Sequence, residues 1–330
     1  MSKAAELAAL IGSQTALSNR NHVINGEFQI WQRGTSQTTA GYGSADRWRL
    51  NVSGASLTGS QGTFTDGQTA VPGNPRFYLA LDVATGNDNA GWFHRLEGTH
   101  EFANDVYTLS FWAKSATPRA MTVGANSFDS STDTFDETHT TSPSTFTPTS
   151  SWQKFTFKVT FSNMNSLGSF ASGDFTAFFI TQGSSTSTAA WKLDLALVQF
   201  EKGEQATPFE HRSVGEELAR CQRYFQNPIN ANNSAVSGGW RTSSQCQFGL
   251  PLATSMRASP TMTHKATTVH GLNGGTNDNG TGCNINNSGT IQTSIWTALT
   301  VAGTPGTSGE AVIVAGRNQT EDGIFLDAEL

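Results

Sequence analysis

The chain has 330 residues, of which 36% are hydrophobic and only 14% charged, with 20 basic against 26 acidic residues and a net charge of −6. That balance leaves no basic patch to screen phosphates, which argues against nucleic acid as a partner. Disorder is excluded too: 21 Phe, 8 Trp and 4 Tyr supply a large apolar payload, and the abundant Gly, Ser, Thr and Asn favour strands and turns over long helices.

At ~100–200 residues per domain the length predicts about two domains. The cysteines Cys221, Cys246 and Cys283 are too few and scattered for a disulfide framework, and no His flanks them at zinc-ligand spacing. The opening MSKAAELAALIG lacks the basic and apolar segments of a secretion signal. No stretch approaches the roughly 18 apolar residues of a spanning helix, so no membrane insertion is expected. These features predict a soluble protein made in a reducing cytoplasm.

The first predicted element is a short helix over residues 3–11. Ser2 caps it, Ala4, Leu7, Ala8 and Ile11 share one face, and Gly12 closes it. Isolated helices shorter than ~12–15 residues are marginal in water, so this one is expected to dock on a partner.

From Asn21 to Phe209 strand follows strand. Tyr107–Lys114 alternates Leu109, Phe111 and Ala113 against Ser110 and Trp112. Trp152–Phe161 sets Phe155, Phe157, Val159 and Phe161 against Lys154, Thr156 and Lys158. Phe175–Thr181 repeats the period, and Trp191–Phe200 aligns Leu193, Leu195 and Leu197. Such alternation marks antiparallel sheets with one buried and one wet face, and turn-rich spacers between the strands predict a sandwich or jelly roll.

In Ser213–Phe225, Ser213 and Glu216 form an S-x-x-E capping box ahead of an apolar stripe of Leu218, Cys221, Tyr224 and Phe225. This predicts a connector helix with Leu218 and Cys221 buried and Glu217 exposed. Beyond it, strands are expected at Gln245–Leu252, Thr261–Ala266, Ile291–Ala298, Glu310–Ala315 and Gly323–Leu330, with residues 273–289 as an Asn-rich loop. The predicted fold class is all-β: a jelly-roll β-sandwich, a short connector helix, a smaller C-terminal β-sandwich, and a short N-terminal helix. The expected domains are residues 1–20, 21–212, 213–226 and 227–330.

Several segments together carry a family resemblance: VINGEFQIWQRGT, SADRWRL, WFHRLEG, YTLSFWAKS, WKLDLALVQFEKGEQATPFEHRSVGEELARCQRYF and the later MRASPTMT. The chain resembles bacteriophage tail-fibre and virion appendage proteins with a carbohydrate-binding-module-like jelly roll, over roughly residues 21–265. The resemblance implies a non-enzymatic virion subunit that attaches to host cells through a surface glycan. It also implies a homotrimer; the short apolar stripe of the N-terminal segment is then expected to dock on other virion proteins, and composition and position make residues 227–330 a tip domain. A ligand-free decoration subunit of head or tail is the alternative, and a carbohydrate-active enzyme a third reading.

The sequence has no nucleophile elbow, HExxH or Walker loop. The acidic cluster Asp129, Asp133, Asp136 and Glu137 reads as a solvated loop. Related jelly rolls hold Ca²⁺ through an acid after the NG-x-F motif and another on the last strand. Asp194 matches the second, but Gln29 stands at the first. No metal and no cofactor are therefore expected. Sugar binding uses aromatic faces with amide and hydroxyl groups around them. The candidates are Trp92, Trp112 and Trp152 in the first domain, and Trp240, His270 and Trp296 in the distal one. Trp31 and Trp48 lie inside the shared motifs and read as structural.

Overall fold

A computed structural model describes residues 19–54, 56–85, 88–129, 134–136, 143–162, 173–182, 189–230, 235–265, 267–271, 278–285, 294–301, 308, 311–316 and 323–330. The predicted N-terminal helix lies outside the described residues. The chain divides into two compact units, one running to Glu217 and including Leu330, the other Leu218–Glu329.

The first unit is a two-sheet antiparallel sandwich, the jelly-roll fold class that the alternating strands predict. Its strands are β1 (Ser36–Gln37), β2 (Trp48–Ser53), β3 (Ser56–Thr63), β4 (Phe77–Thr85), β5 (Asp88–Glu97), β6 (Val106–Lys114), β7 (Met121–Asp129), β8 (Thr134–Asp136), β9 (Ser144–Phe146), β10 (Gln153–Thr160), β11 (Phe175–Gln182) and β12 (Trp191–Lys202). One sheet has the order β1-β3-β4-β12-β6-β10; the other is β2-β5-β11-β7-β8, with β9 pairing β7. Between them lies one core in which Trp48, Trp92, Phe111, Phe178, Trp191 and Phe200 are essentially fully buried.

The predicted parity holds along β6 and β10 and fails at one point in β12. The register shifts between Ala196 and Gln199, and Leu197 takes a left-handed backbone with φ 49°. That bulge returns Val198 and Phe200 to the core and turns Leu197 to the outer face beside Val71 and Ala196. Leu197 therefore does not align with Leu193 and Leu195.

Within the first unit, the opening and closing segments of the resemblance meet in space. Asn25 is buried with φ 60°; its amide donates to the carbonyls of Ile30 (2.8 Å) and Asp46 (3.0 Å) and accepts from Ile30 N–H (3.0 Å). Gly26 packs against the Val198 carbonyl, where any Cβ would collide. Glu210 accepts the amides of Asn19 (2.6 Å) and Asn21 (2.8 Å), and Arg212 donates to the Val23 carbonyl (2.9 Å) and to that of Asn21. The opening and closing motifs of the unit thus clamp each other's backbone.

The helix α1 (Val214–Gln222) starts where predicted, with Ser213 Oγ accepting the Glu216 amide at 3.2 Å. Its phase corrects the expectation. Cys221, Tyr224 and Phe225 are buried, but Leu218 is only half-buried and Glu217 is 7% exposed. Glu217 is drawn inward because its carboxylate accepts the Asn25 N–H and faces Arg212. Tyr224 and Phe225 lie past the helix end.

The second unit adds β13 (Phe225–Asn230), β14 (Ala235–Thr242), β15 (Gln245–Pro251), β16 (Thr261–Lys265), β17 (Thr267–Gly271), β18 (Asp278–Ile285), β19 (Ser294–Val301), β20 (Ala311–Gly316) and β21 (Gly323–Asp327). It is all-β as expected, but its strands form a three-stranded sheet, β13-β21-β16, and a closed barrel, β14-β15-β19-β18-β17-β20, rather than two facing open sheets. Closure leaves these Gly- and Thr-rich barrel strands without an open edge, which suits strands with little apolar area to bury. The presumed loop at 273–289 contains β18.

Candidate functional site on the outer faces of the sandwich

Of the predicted sugar-binding residues, Trp92 and Trp240 are 0% and 4% exposed and belong to the cores of their units, so neither offers a face to a ligand. The parity that turns Leu50 and Trp48 inward on β2 turns Trp92 inward on β5, because Leu50 pairs with Trp92. Residues 270 and 296 fall in β17 and β19, and their side chains lie outside the described residues.

Trp112 and Trp152 are half-buried on the outer side of the β4-β12-β6-β10 sheet. Trp152 stands edge-on to Tyr78 (5.5 Å, 77°) and tilts against Phe64 (5.1 Å). Into this three-ring box projects Lys114, whose Nζ is 5.0 Å from the Trp152 ring, 5.3 Å from Tyr78 and 3.4 Å from Asp194. Burial raises the Asp194 carboxyl above its usual range, against the pull of Lys114; burial and then Asp194 raise the Tyr78 phenol. The box is filled by the protein's own ammonium, so Trp152 is a structural residue.

The two positions weighed for calcium do not share an environment. Asp194 pairs with Lys114, whereas Gln29 lines a small cavity with Glu27, Glu210 and Arg212. Glu27 and Gln29 both line that cavity, in a turn where Asn25 and Phe28 take left-handed backbone. Among the described residues no group of three or more His, Cys, Asp or Glu could hold a metal ion. Asp129 of the acidic cluster is 5% exposed, not solvated; Asp133 and Glu137, with the side chain of Asp136, lie outside the described residues.

The outer face of the β2-β5-β11-β7 sheet is the better candidate. Register places Arg49, Phe93, Phe179 and Gly124 in one row across four strands. Asn51, Gly91, Thr181 and Thr122 form the row on one side; Arg95, Ala177 and Asn126 form the row on the other. Phe93 and Phe179 are both half-buried, with centroids 5.6 Å apart and planes only 32° apart. Gly124 decides the posture of Phe179: a Cβ there would come within 2.7 Å of the ring's Cζ, so the ring leans across the glycine. The result is a two-ring platform bordered by amide, hydroxyl and guanidinium groups. Further along, Phe175 stacks on Phe128 at 4.5 Å, and the Arg95 guanidinium lies 4.3 Å from the Phe175 ring.

This face carries no tryptophan, so composition alone does not single it out. The available signal was the doublet Phe178-Phe179 in β11, where one ring must point outward, opposite Phe93.

No protein-family model matches the chain, and no curated protein matches it in sequence. Among solved structures it is similar to CBM4, at 19% identity and TM-score 0.36, over 55% of this chain and 100% of that one. It is also similar to a family 11 carbohydrate-binding module from Clostridium thermocellum in complex with a beta-1,3-1,4-mixed-linked tetrasaccharide, at 11% identity and TM-score 0.31, over 54% of this chain and 98% of that one. A third likeness is to the enzymatically active domain of bacteriophage CBA120 tailspike protein 4, at 12% identity and TM-score 0.36, over 56% of this chain and 22% of that one. At these identities and scores nothing about ligand or activity transfers to this chain.

Proposed function

We propose that the protein is a structural subunit of a bacteriophage virion fibre that attaches to the host cell by binding a surface glycan without cleaving it. The carrying observation is Phe179 leaning across Gly124 beside Phe93, two half-exposed rings side by side in the middle of an outer sheet face. Apolar rings kept in water at a sheet centre suit the face of a sugar ring, and the flanking Asn51, Thr122, Asn126 and Arg49 offer partners to its hydroxyls. The virion role and the homotrimer rest on the family resemblance of the sequence, the cytoplasmic origin on its cysteines and N-terminal composition, and the N-terminal anchor on the short apolar stripe of residues 3–11.

Glycan-array screening of the full chain followed by calorimetry tests the reading. Phe179→Ala should weaken the best glycan about tenfold or more, since a buried Phe contributes ~1.5–3 kcal/mol. Gly124→Ala should weaken it as well, by lifting the ring, while the melting temperature stays close to that of the parent. Absence of any glycan signal favours a ligand-free decoration subunit. That second reading has its own support: Asn25, Gly26, Glu210, Arg212 and Glu217, all in the shared motifs, hold backbone rather than line either outer face. Shortening of a bound polysaccharide would instead mark an enzyme. Light scattering showing a stable 35.2 kDa monomer at micromolar concentration would overturn the trimer.

A further inference from the structure

We propose that the opposite face of the first unit carries a separate saccharide site, a pocket at Trp112 that takes a single carboxylate-bearing sugar ring. The pocket has a volume of about 270 Å³. That is just below the ~300–1,000 Å³ typical of drug-sized small-molecule sites, so it fits one ring rather than a chain. Trp112 and Lys154 form one side as a directly opposed cross-strand pair on β6 and β10. Phe209 and His211 form the other, with rings in edge contact at 5.0 Å. Leu197, swung outward by the β12 bulge, lines it as a buried apolar residue.

Charge sets the ligand class. The chain carries a net −6, yet among the described residues none lining this pocket is acidic. On this sheet Lys114, Lys158, Lys192 and Lys202 each pair with a carboxylate: Asp194, Glu204, Asp82 and Asp105. Lys154 is exposed and, among the described residues, has no ion-pair partner. An unpaired ammonium beside an open indole recognises an anion attached to a ring that can stack. His211 completes the polar set. Its Nδ1 lies 3.2 Å from Glu27 Oε2, so in the neutral ring Nδ1–H donates to Glu27 and Nε2 is left to accept a sugar hydroxyl. A sugar carboxylate on Lys154, a ring face on Trp112 and a hydroxyl on His211 use every polar feature of the pocket except Ser110.

The test is titration of the full chain with the methyl glycoside of glucuronic acid and, in parallel, with neutral methyl glucoside, read by tryptophan fluorescence and calorimetry. The uronate should bind, and the neutral sugar should bind about tenfold or more weakly, the weight of one charge-assisted hydrogen bond. Lys154→Gln, an exposed change that leaves the fold intact, should cancel that preference, Lys154→Arg should restore it, and raised salt should weaken it. Trp112→Ala should weaken both sugars, with near-ultraviolet circular dichroism confirming the fold. Phe179→Ala should leave uronate binding unchanged, which separates this site from the platform on the other sheet. No uronate binding at millimolar concentration overturns the proposal. So does equal affinity for both sugars, or a Lys154→Gln protein that keeps the preference.

Discussion

Glu217→Ala should destabilise the first unit by about 2–4 kcal/mol, while Leu218→Ala, one position along the same helix, should cost about 1 kcal/mol or less. The inversion follows from what each side chain touches. The Glu217 carboxylate accepts the N–H of Asn25, a buried left-handed residue, and lies 3.4 Å from the Arg212 guanidinium. Removing it orphans a buried amide, at ~1–3 kcal/mol, and takes one of two carboxylates from a nearly buried Arg212. Arg212 keeps Glu210 and the carbonyls of Asn21 and Val23, so the loss stays below that of a fully abandoned buried charge. Leu218 is only half-buried, so its truncation opens no closed cavity and falls short of the ~2–5 kcal/mol of a core leucine. Denaturant midpoints for the two variants decide the matter, with Glu217→Gln as an intermediate that retains one acceptor oxygen. Near-silence at Glu217 would mean that water replaces the carboxylate on the Asn25 amide.

Strand existence and parity were legible because period-2 alternation survives wherever one face packs on a core: Leu109, Phe111 and Ala113 are buried, and Trp112 points outward, as the pattern implies. What escaped were the places where backbone departs from regular strand. The β12 bulge at Leu197 breaks parity, and left-handed Asn25 and Phe28 lie in a turn that alternation does not describe. Glu217 escaped for a related reason. A helical wheel ranks residues by polarity, whereas this carboxylate is buried by a partner nearly 200 residues upstream that no local pattern reveals. The platform of Phe93 and Phe179 depends on the register of β5 with β11 and β11 with β7, which is non-local information. Trp92 shows the converse. Its side chain is a good sugar platform in isolation, and only the β2 pairing shows that it faces the core.

Below about pH 6.5 the first unit should lose stability by a route that runs through His94. This β5 residue is 0% exposed, with its ring stacked on Phe178 at 5.4 Å and tilted against Trp48 at 5.0 Å. Its Nε2 accepts the Ile24 N–H at 3.3 Å, which requires a lone pair there, and its Nδ1 has no hydrogen-bond partner among the described residues. A proton on Nε2 would destroy the first contact and bury a second donor without an acceptor. Burial, and after it the Arg47 guanidinium, therefore hold His94 well below the ordinary histidine range; burial and then Arg212 lower His22 as well. The unfolded chain takes up protons at these histidines as pH falls through about 6.5, and the folded chain does not. Stability is thus fully present above that pH and declines below it, by at most about 1.4 kcal/mol per pH unit for each histidine, until the folded side chain itself titrates. Raised carboxyls at Asp194 and Glu101 act in the opposite sense at lower pH, so a substitution is needed to isolate the histidine contribution. His94→Phe keeps the ring stack, loses the Ile24 contact and cannot titrate. It should be less stable than the parent at neutral pH, yet show a shallower fall in melting temperature between about pH 7 and about pH 5. Parallel acid limbs in the two proteins would show that His94 is not the group that couples folding to protons.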